Sequence, residues 1–109
     1  DLALDNLSRF RRLLEGMNVR HVDVLATAAV RDATDGPAFV ETVSHRCELP
    51  VTVIGGAEKA RLSALGVLAG GLGSDGVMGD LGGGSLEMVG LAGGAIAGVL
   101  SRALHCLPF

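Results

Sequence analysis

The sequence contains no tryptophan and no tyrosine, and it has only three phenylalanines and two cysteines among 109 residues. Cys47 and Cys106 lie far apart without the short spacing of metal ligands, so they predict buried, reduced thiols. Long apolar runs are also absent, because the longest uncharged one, 88–100, is shorter than the about 20 residues that span a membrane. These shortages predict a cytoplasmic protein with no membrane partner.

Positive charge is scarce as well, since nine Lys and Arg stand against 12 Asp and Glu and give a net charge of −3. That balance argues against a general nucleic-acid-binding surface. A local anion site stays compatible with it, because backbone amides and one or two arginines suffice to build one.

Aliphatic and small residues dominate instead, with 49% apolar residues and 17 glycines. Their spacing predicts, in order, a helix ending near Gly16, a strand in 21–27, a helix in 34–47, a strand in 50–56, a helix in 57–70, a strand in 76–91 that glycines interrupt, and a hairpin return in 95–100. The third helix would turn Leu62, Leu65 and Leu68 inward. Helices between strands predict parallel pairing by right-handed crossovers, with the hairpin adding antiparallel strands to the same sheet.

Three consecutive glycines stand out in "VMGDLGGGSLEMV", because each glycine inside a strand or helix costs about 0.5–1 kcal/mol relative to alanine. One interpretation is that residues 82–84 merely form a hairpin turn or a bulge. The other is a nest of amide groups from 82–85 that holds phosphate, with the Ser85 hydroxyl as a further donor. Asp80 would then hold a divalent cation through water, and Glu87 would be a second ligand or would orient the attacking water.

Two more stretches place anion-binding groups at strand ends. "ATAAVRDA" has Thr27 at the end of a strand and Arg31 on a turn or short helix, where its guanidinium would reach a phosphate. "VIGGAEKARLSALGV" places Gly55 and Gly56 before a helix N-terminus, another natural anion site.

Together, "LATAAVRDA", "VIGGAEKARLSALGV" and "GVMGDLGGGSLEMV" closely resemble the exopolyphosphatase and guanosine-pentaphosphate phosphohydrolase family, over roughly residues 4–91. The resemblance implies an α/β fold of the actin/hexokinase-like (ribonuclease H-like) ATPase superfamily, with parallel strands, crossover helices and a C-terminal β-hairpin. It makes 1–109 part of an N-terminal domain whose first phosphate loop would lie upstream, while 96–109 match the family only loosely.

The resemblance also implies site residues and partners. Gly82, Gly83, Gly84 and Ser85 would be the phosphate cradle, Thr27 and Arg31 would contact the substrate, and Asp80 and Glu87 would be the acidic Mg²⁺ and water-positioning residues. The reaction implied is attack of water on a terminal phosphate of inorganic polyphosphate or of guanosine pentaphosphate, pppGpp. A homodimer of the full-length protein is a further expectation.

One residue departs from the family pattern. The family has its general-base glutamate immediately before Ala-Arg, where this chain has Lys59. An ammonium does not accept a proton from water, and Glu58, one residue earlier on a helix, would point elsewhere. A weakened or non-catalytic relative, a relay through Glu58 or Glu87, and a sequence error remain as explanations.

Three classes of function therefore stay open. The first is a phosphohydrolase, the second is a module that binds polyphosphate or guanosine tetra- and pentaphosphate without turnover, and the third is a kinase-like relative.

Overall fold

The structure is a computed structural model that describes residues 1–71, 73 and 75–104. In chain order its elements are α1 (Leu2–Gly16), β1 (Val24–Ala26), α2 (Ala28–Arg31), α3 (Gly36–Arg46), β2 (Val51–Val53), α4 (Gly56–Ala69), β3 (Gly76–Leu81), β4 (Ser85–Ala92) and β5 (Ala95–Ala103). They form two compact units. The first comprises Asp1–Ala26 and Val30–Val53, and the second comprises Thr27–Ala29 and the chain from Ile54 on.

The first unit contains the parallel strand pair that the sequence predicts. β1 runs beside β2 with Val24 opposite Val51, and α3 lies between them in the chain as a crossover helix. Its core is apolar and includes Leu4, Val43 and Cys47. Cys47 is a free, buried thiol, as predicted, whereas Cys106 lies outside the described residues.

The second unit is a three-stranded antiparallel sheet in the order β3-β4-β5, with α4 packed against it. Ala60 and Ala64 are fully buried against the sheet, whereas Leu62 and Leu65 are 38% and 42% exposed. The prediction of a leucine face was therefore wrong for these two leucines, although Leu68 does pack against the core. Two small alanines on the inner face let the helix axis approach the strands closely, which larger leucines would prevent.

Two further predictions about the sheet need correction. The hairpin strands form a sheet separate from the parallel pair, instead of extending it. The segment 76–91 is also not one interrupted strand, because β3 and β4 run antiparallel and the three glycines connect them. The α/β class itself is confirmed, and among residues 1–71, 73 and 75–104 no helix has the length and apolar character needed to cross a membrane.

The close approach of α4 to β5 requires a glycine at position 56. A Cβ added to Gly56 would overlap the Ser101 hydroxyl oxygen and lie 2.9 Å from the Ser101 Cβ. Because overpacking of this kind costs about 1–3 kcal/mol, we expect Gly56→Ala to lower the free energy of unfolding by that amount in urea titrations. Gly66→Ala in the same helix is the control. Its Cβ would meet nothing within 4 Å, so alanine should stabilise the helix by up to about 1 kcal/mol. Equal effects of the two substitutions would contradict this packing.

Candidate functional site

One face of β4 changes from apolar to polar as the strand nears the glycine loop. Alternate residues of the strand are buried: Ser85, Glu87, Val89 and Leu91. Val89 and Leu91 belong to the core under α4, whereas Glu87 is fully buried at 0% exposure although it carries a carboxylate. A buried carboxylate needs a compensating charge or hydrogen bonds, because its desolvation is otherwise very costly.

The compensating charge comes from Lys59. Asp80 on β3 lies directly opposite Glu87, a cross-strand pairing of like charges that by itself destabilises a sheet. The Lys59 Nζ atom lies 2.9 Å from Glu87 Oε2 and 3.3 Å from Asp80 Oδ2. One ammonium therefore bridges both carboxylates.

The first turn of α4 brings Lys59 to this position. The helix begins at Gly56, and the Lys59 amide donates to the Gly55 carbonyl, so the lysine lies one turn from the N-terminus. The inward-facing Ala60 places Lys59 beside the sheet instead of out in solvent. Ser63, four residues later on the same side of the helix, donates a long hydrogen bond of 3.5 Å to Asp80.

These contacts keep Lys59 protonated. The hydrogen bond to Glu87, assisted by Asp80, raises the pKa of Lys59 above its ordinary value of 10.5. An ammonium in this state is a hydrogen-bond donor and a positive charge, and it does not serve as a general base at neutral pH.

Glu58 points away from this cluster. Its carboxylate accepts two hydrogen bonds from the Arg61 guanidinium, at 2.7 and 2.9 Å, and these bonds lower the pKa of Glu58. This agrees with the prediction that a carboxylate one residue before Lys59 would face a different direction. Its part in a proton relay stays a prediction.

The three glycines form the turn of the β3–β4 hairpin. The Gly82 amide donates to the Ser85 carbonyl at 2.9 Å, and the Gly84 carbonyl accepts a bond from the Leu104 amide at 3.0 Å. None of the three glycines has a φ in the left-handed region, so the turn conformation is open to other residues.

Lack of space for a Cβ explains why some, but not all, of the three turn positions are glycine. A Cβ at Gly82 would lie 3.2 Å from the Lys59 ammonium nitrogen, which is a tight contact, and one at Gly84 would lie 3.5 Å from the Ala28 Cβ. A Cβ at Gly83 would meet nothing within 4 Å. Among the described residues, neither backbone conformation nor crowding of a Cβ requires a glycine at position 83, which lies exposed at the turn.

The two remaining predicted residues fall in different units. Thr27 belongs to the unit of the glycine loop, next to Ala28, which lies against Gly84. Arg31 belongs to the other unit, and its guanidinium donates to the neighbouring Asp32 at 3.1 Å. Contact of Thr27 and Arg31 with phosphate stays a prediction.

Two residues around the cluster, Ser63 and Ser101, were not anticipated as parts of it, whereas Gly56 was predicted as part of an anion site before this helix. Ser101 lies opposite Glu87 on β5, and Gly56 leaves the space that the Ser101 side chain fills. Ser63 follows Lys59 by four residues, so helical spacing alone could have placed it at the site.

The residues assigned to Mg²⁺ do not fit that ion as they are arranged. A cation already stands between Asp80 and Glu87, namely the Lys59 ammonium. In the part of the chain that the structure describes, no group of three or more His, Cys, Asp or Glu side chains is placed to hold a metal. A magnesium ion at Asp80 and Glu87 stays a prediction, and an ion directly between the two carboxylates would have to replace the Lys59 ammonium.

The site thus comprises a glycine turn, two facing carboxylates on the strands that it joins, and the first turn of α4. Comparison with known proteins specifies the class further. The model of the Ppx/GppA phosphatase family matches residues 2–109, and the chain belongs to that family.

Solved structures agree with this assignment. An exopolyphosphatase from Cytophaga hutchinsonii is 31% identical, with a TM-score of 0.86 and 92% of this chain covered. The PPX-GPPA enzyme of Aquifex aeolicus is also 31% identical, with a TM-score of 0.78 and 91% covered. The chain spans 33% of the length of each of these structures. Its fold is thus part of the actin/hexokinase-like fold of the family.

Proposed function

We propose that this chain is part of an exopolyphosphatase-like phosphohydrolase that releases the terminal phosphate of inorganic polyphosphate or of pppGpp. Family membership supports the phosphohydrolase class, and the similarity to an exopolyphosphatase supports polyphosphate as the substrate type. The observation that carries the proposal is the Gly83 backbone. Among the described residues none crowds a Cβ at this exposed position, and a phosphate held by backbone amides needs such a close approach.

In this proposal the loop 82–85 binds and orients the terminal phosphate, and Thr27 lies on the same unit as a further contact. The Lys59 ammonium lies directly beside the loop, at the position that a Gly82 Cβ would crowd. In phosphoryl transfer the protein mainly positions groups and neutralises charge, and the amides of the loop would contribute to both, since the Lys59 ammonium is already paired with Asp80 and Glu87. Because Asp80 and Glu87 do not fit Mg²⁺ as arranged, no step is assigned to a metal ion.

A second candidate is a module that binds polyphosphate or guanosine tetra- and pentaphosphate without turning them over. The ion pair of Lys59 with Glu87 favours it, because a protonated lysine stands where the family resemblance expects a base. Phosphate release by the intact protein from polyphosphate and from pppGpp, compared with phosphorylation of a sugar by ATP, separates hydrolase, binding module and kinase-like relative. Release without sugar phosphorylation supports the hydrolase, and binding with neither supports the module.

The phosphate loop itself is tested by Gly83→Ala. The fold should tolerate the new Cβ, so we expect an unchanged melting temperature, whereas a phosphate seated on the bare backbone would be displaced. Tripolyphosphate binding, measured by calorimetry, should weaken by about tenfold, equivalent to about 1.4 kcal/mol.

Gly98→Ala on β5 is the matched control. Its Cβ would also meet nothing within 4 Å, and Gly98 lies opposite Gly90, toward the other end of the hairpin from the glycine loop. Binding that is equally strong in both variants would contradict the assignment of the loop.

A further inference from the structure

The Asp80–Glu87 pair holds its own cation. Lys59 is the only lysine in the sequence, and its ammonium lies within hydrogen-bond or ion-pair distance of one oxygen from each carboxylate. We propose that Lys59 is the resident counter-cation of Asp80 and Glu87, and that it keeps divalent cations out of the position between them. The proposal relies on the proposed function for the role of the loop, but its main test does not need a phosphate.

The ammonium occupies the position between the two carboxylates. Glu87 is fully buried, so its carboxylate cannot turn toward solvent to meet an ion there. The loop backbone lies against Nζ on another side, since a Cβ at Gly82 would be 3.2 Å from it. A divalent cation between the carboxylates would therefore have to displace Lys59, or bind in close contact with a like charge.

Charge leads to the same conclusion. Two carboxylates and one ammonium carry a single net negative charge, so half of the negative charge that would attract a dication is already cancelled. Removing the ammonium restores two facing carboxylates, which are the oxygen ligands that Mg²⁺ and Mn²⁺ prefer. The same removal takes away the ammonium that lies 2.9 Å from the buried Glu87 carboxylate, so a dication bound there would then stabilise the fold.

Mn²⁺ titration of the intact protein, followed by electron paramagnetic resonance, tests the proposal. We expect Lys59→Gln to gain Mn²⁺ affinity by about 100-fold over the wild type, the upper end of what changes around metal ligands achieve. Lys59→Arg keeps the positive charge and should behave as the wild type does. Adding Asp80→Asn to Lys59→Gln should abolish the gain, which locates the ion at this pair.

Other outcomes of the Mn²⁺ titration also decide for or against the proposal. Wild-type Mn²⁺ binding that Asp80→Asn removes would overturn the proposal, and so would a folded Lys59→Gln variant without any gain. If Lys59→Gln folds only when Mn²⁺ is added, the proposal is supported, because the ion then replaces the lost ammonium. If that variant does not fold even with Mn²⁺, the proposal is overturned, because the ion has failed to replace the ammonium.

A second experiment distinguishes a failure of this proposal from a failure of the proposed function. Tripolyphosphate binding to the wild-type protein should not require Mg²⁺, so it should persist in EDTA. Binding that needs Mg²⁺ and disappears with Asp80→Asn would overturn the proposal. If tripolyphosphate does not bind under any condition, the proposed function fails, and the Mn²⁺ result still decides the role of Lys59.

Discussion

Replacing Lys59 with methionine is expected to lower the free energy of unfolding of the intact protein by about 3–5 kcal/mol. Methionine retains most of the side-chain volume but not the charge, so the fully buried Glu87 carboxylate would face Asp80 without an ammonium between them. Breaking a buried pair by removing one partner costs far more than losing the pair as a whole. Urea unfolding, monitored by circular dichroism, measures the loss.

Two controls distinguish this effect from a general loss of charge on α4. Arg61→Met also removes a cation from this helix, but its partner Glu58 is exposed, so the variant should unfold close to the wild type. The double variant Lys59→Met with Glu87→Gln removes both charges and should recover much of the lost stability. Equal losses in Lys59→Met and Arg61→Met would contradict a buried role for Lys59.

The interaction of Lys59 with Glu87 also makes the stability of the fold depend on pH. Because Glu87 raises the pKa of Lys59 in the folded protein, the stability that this pairing contributes is fully present below the ordinary value of 10.5. It is lost as the pH rises through the raised pKa. The difference in the free energy of unfolding between the wild type and Lys59→Met should therefore be full at neutral pH and should shrink in strongly alkaline buffer.

The second large effect concerns turnover. Lys59→Glu places a carboxylate where the family resemblance expects the general base, and it removes the ammonium that occupies the acidic pair. A positioned general base contributes about 10²–10⁴-fold to a rate, so we expect kcat for phosphate release from polyphosphate to rise by a comparable factor when Mg²⁺ is supplied. Without a divalent cation, three carboxylates would repel one another and the variant should be less stable than the wild type.

Lys59→Gln is the control for this substitution, because it removes the ammonium without offering a base. It should leave kcat low even when Mg²⁺ is present. If Lys59→Glu leaves kcat unchanged while Glu58→Gln abolishes it, the base is Glu58, and the geometry in which Glu58 is held by Arg61 does not persist in the working enzyme.

The element order could be predicted from the sequence because it depends on local patterns, whereas the sheet arrangement depends on the glycine turn. A turn at the glycines 82–84 was one of the two interpretations of the sequence, but three glycines in a row do not show which residues pair across it. The register that places Asp80 opposite Glu87 comes from the structure.

That Lys59 bridges Asp80 and Glu87 could not be predicted from the sequence either, but the reason is a different one. It depends on which side of α4 faces the sheet, and leucines usually mark that side. Here the buried side carries Ala60 and Ala64, and this rotation of the helix is what brings Lys59 to the acidic pair. Hydrophobicity predicts that the leucines of α4 face the sheet, whereas the short distance between helix and sheet leaves room there only for the alanines. Only the packed structure decides between them.

A crystal structure of the intact protein with tripolyphosphate and Mn²⁺ tests the central claim most directly, since manganese is located by its anomalous scattering. We predict that a terminal phosphate lies on the loop 82–85, with its oxygens about 2.7–3.2 Å from backbone amide nitrogens. Lys59 should remain between Asp80 and Glu87, with no anomalous peak at that position. A manganese ion bound to both carboxylates with Lys59 turned away, or a tripolyphosphate bound away from the glycine loop, would contradict the account.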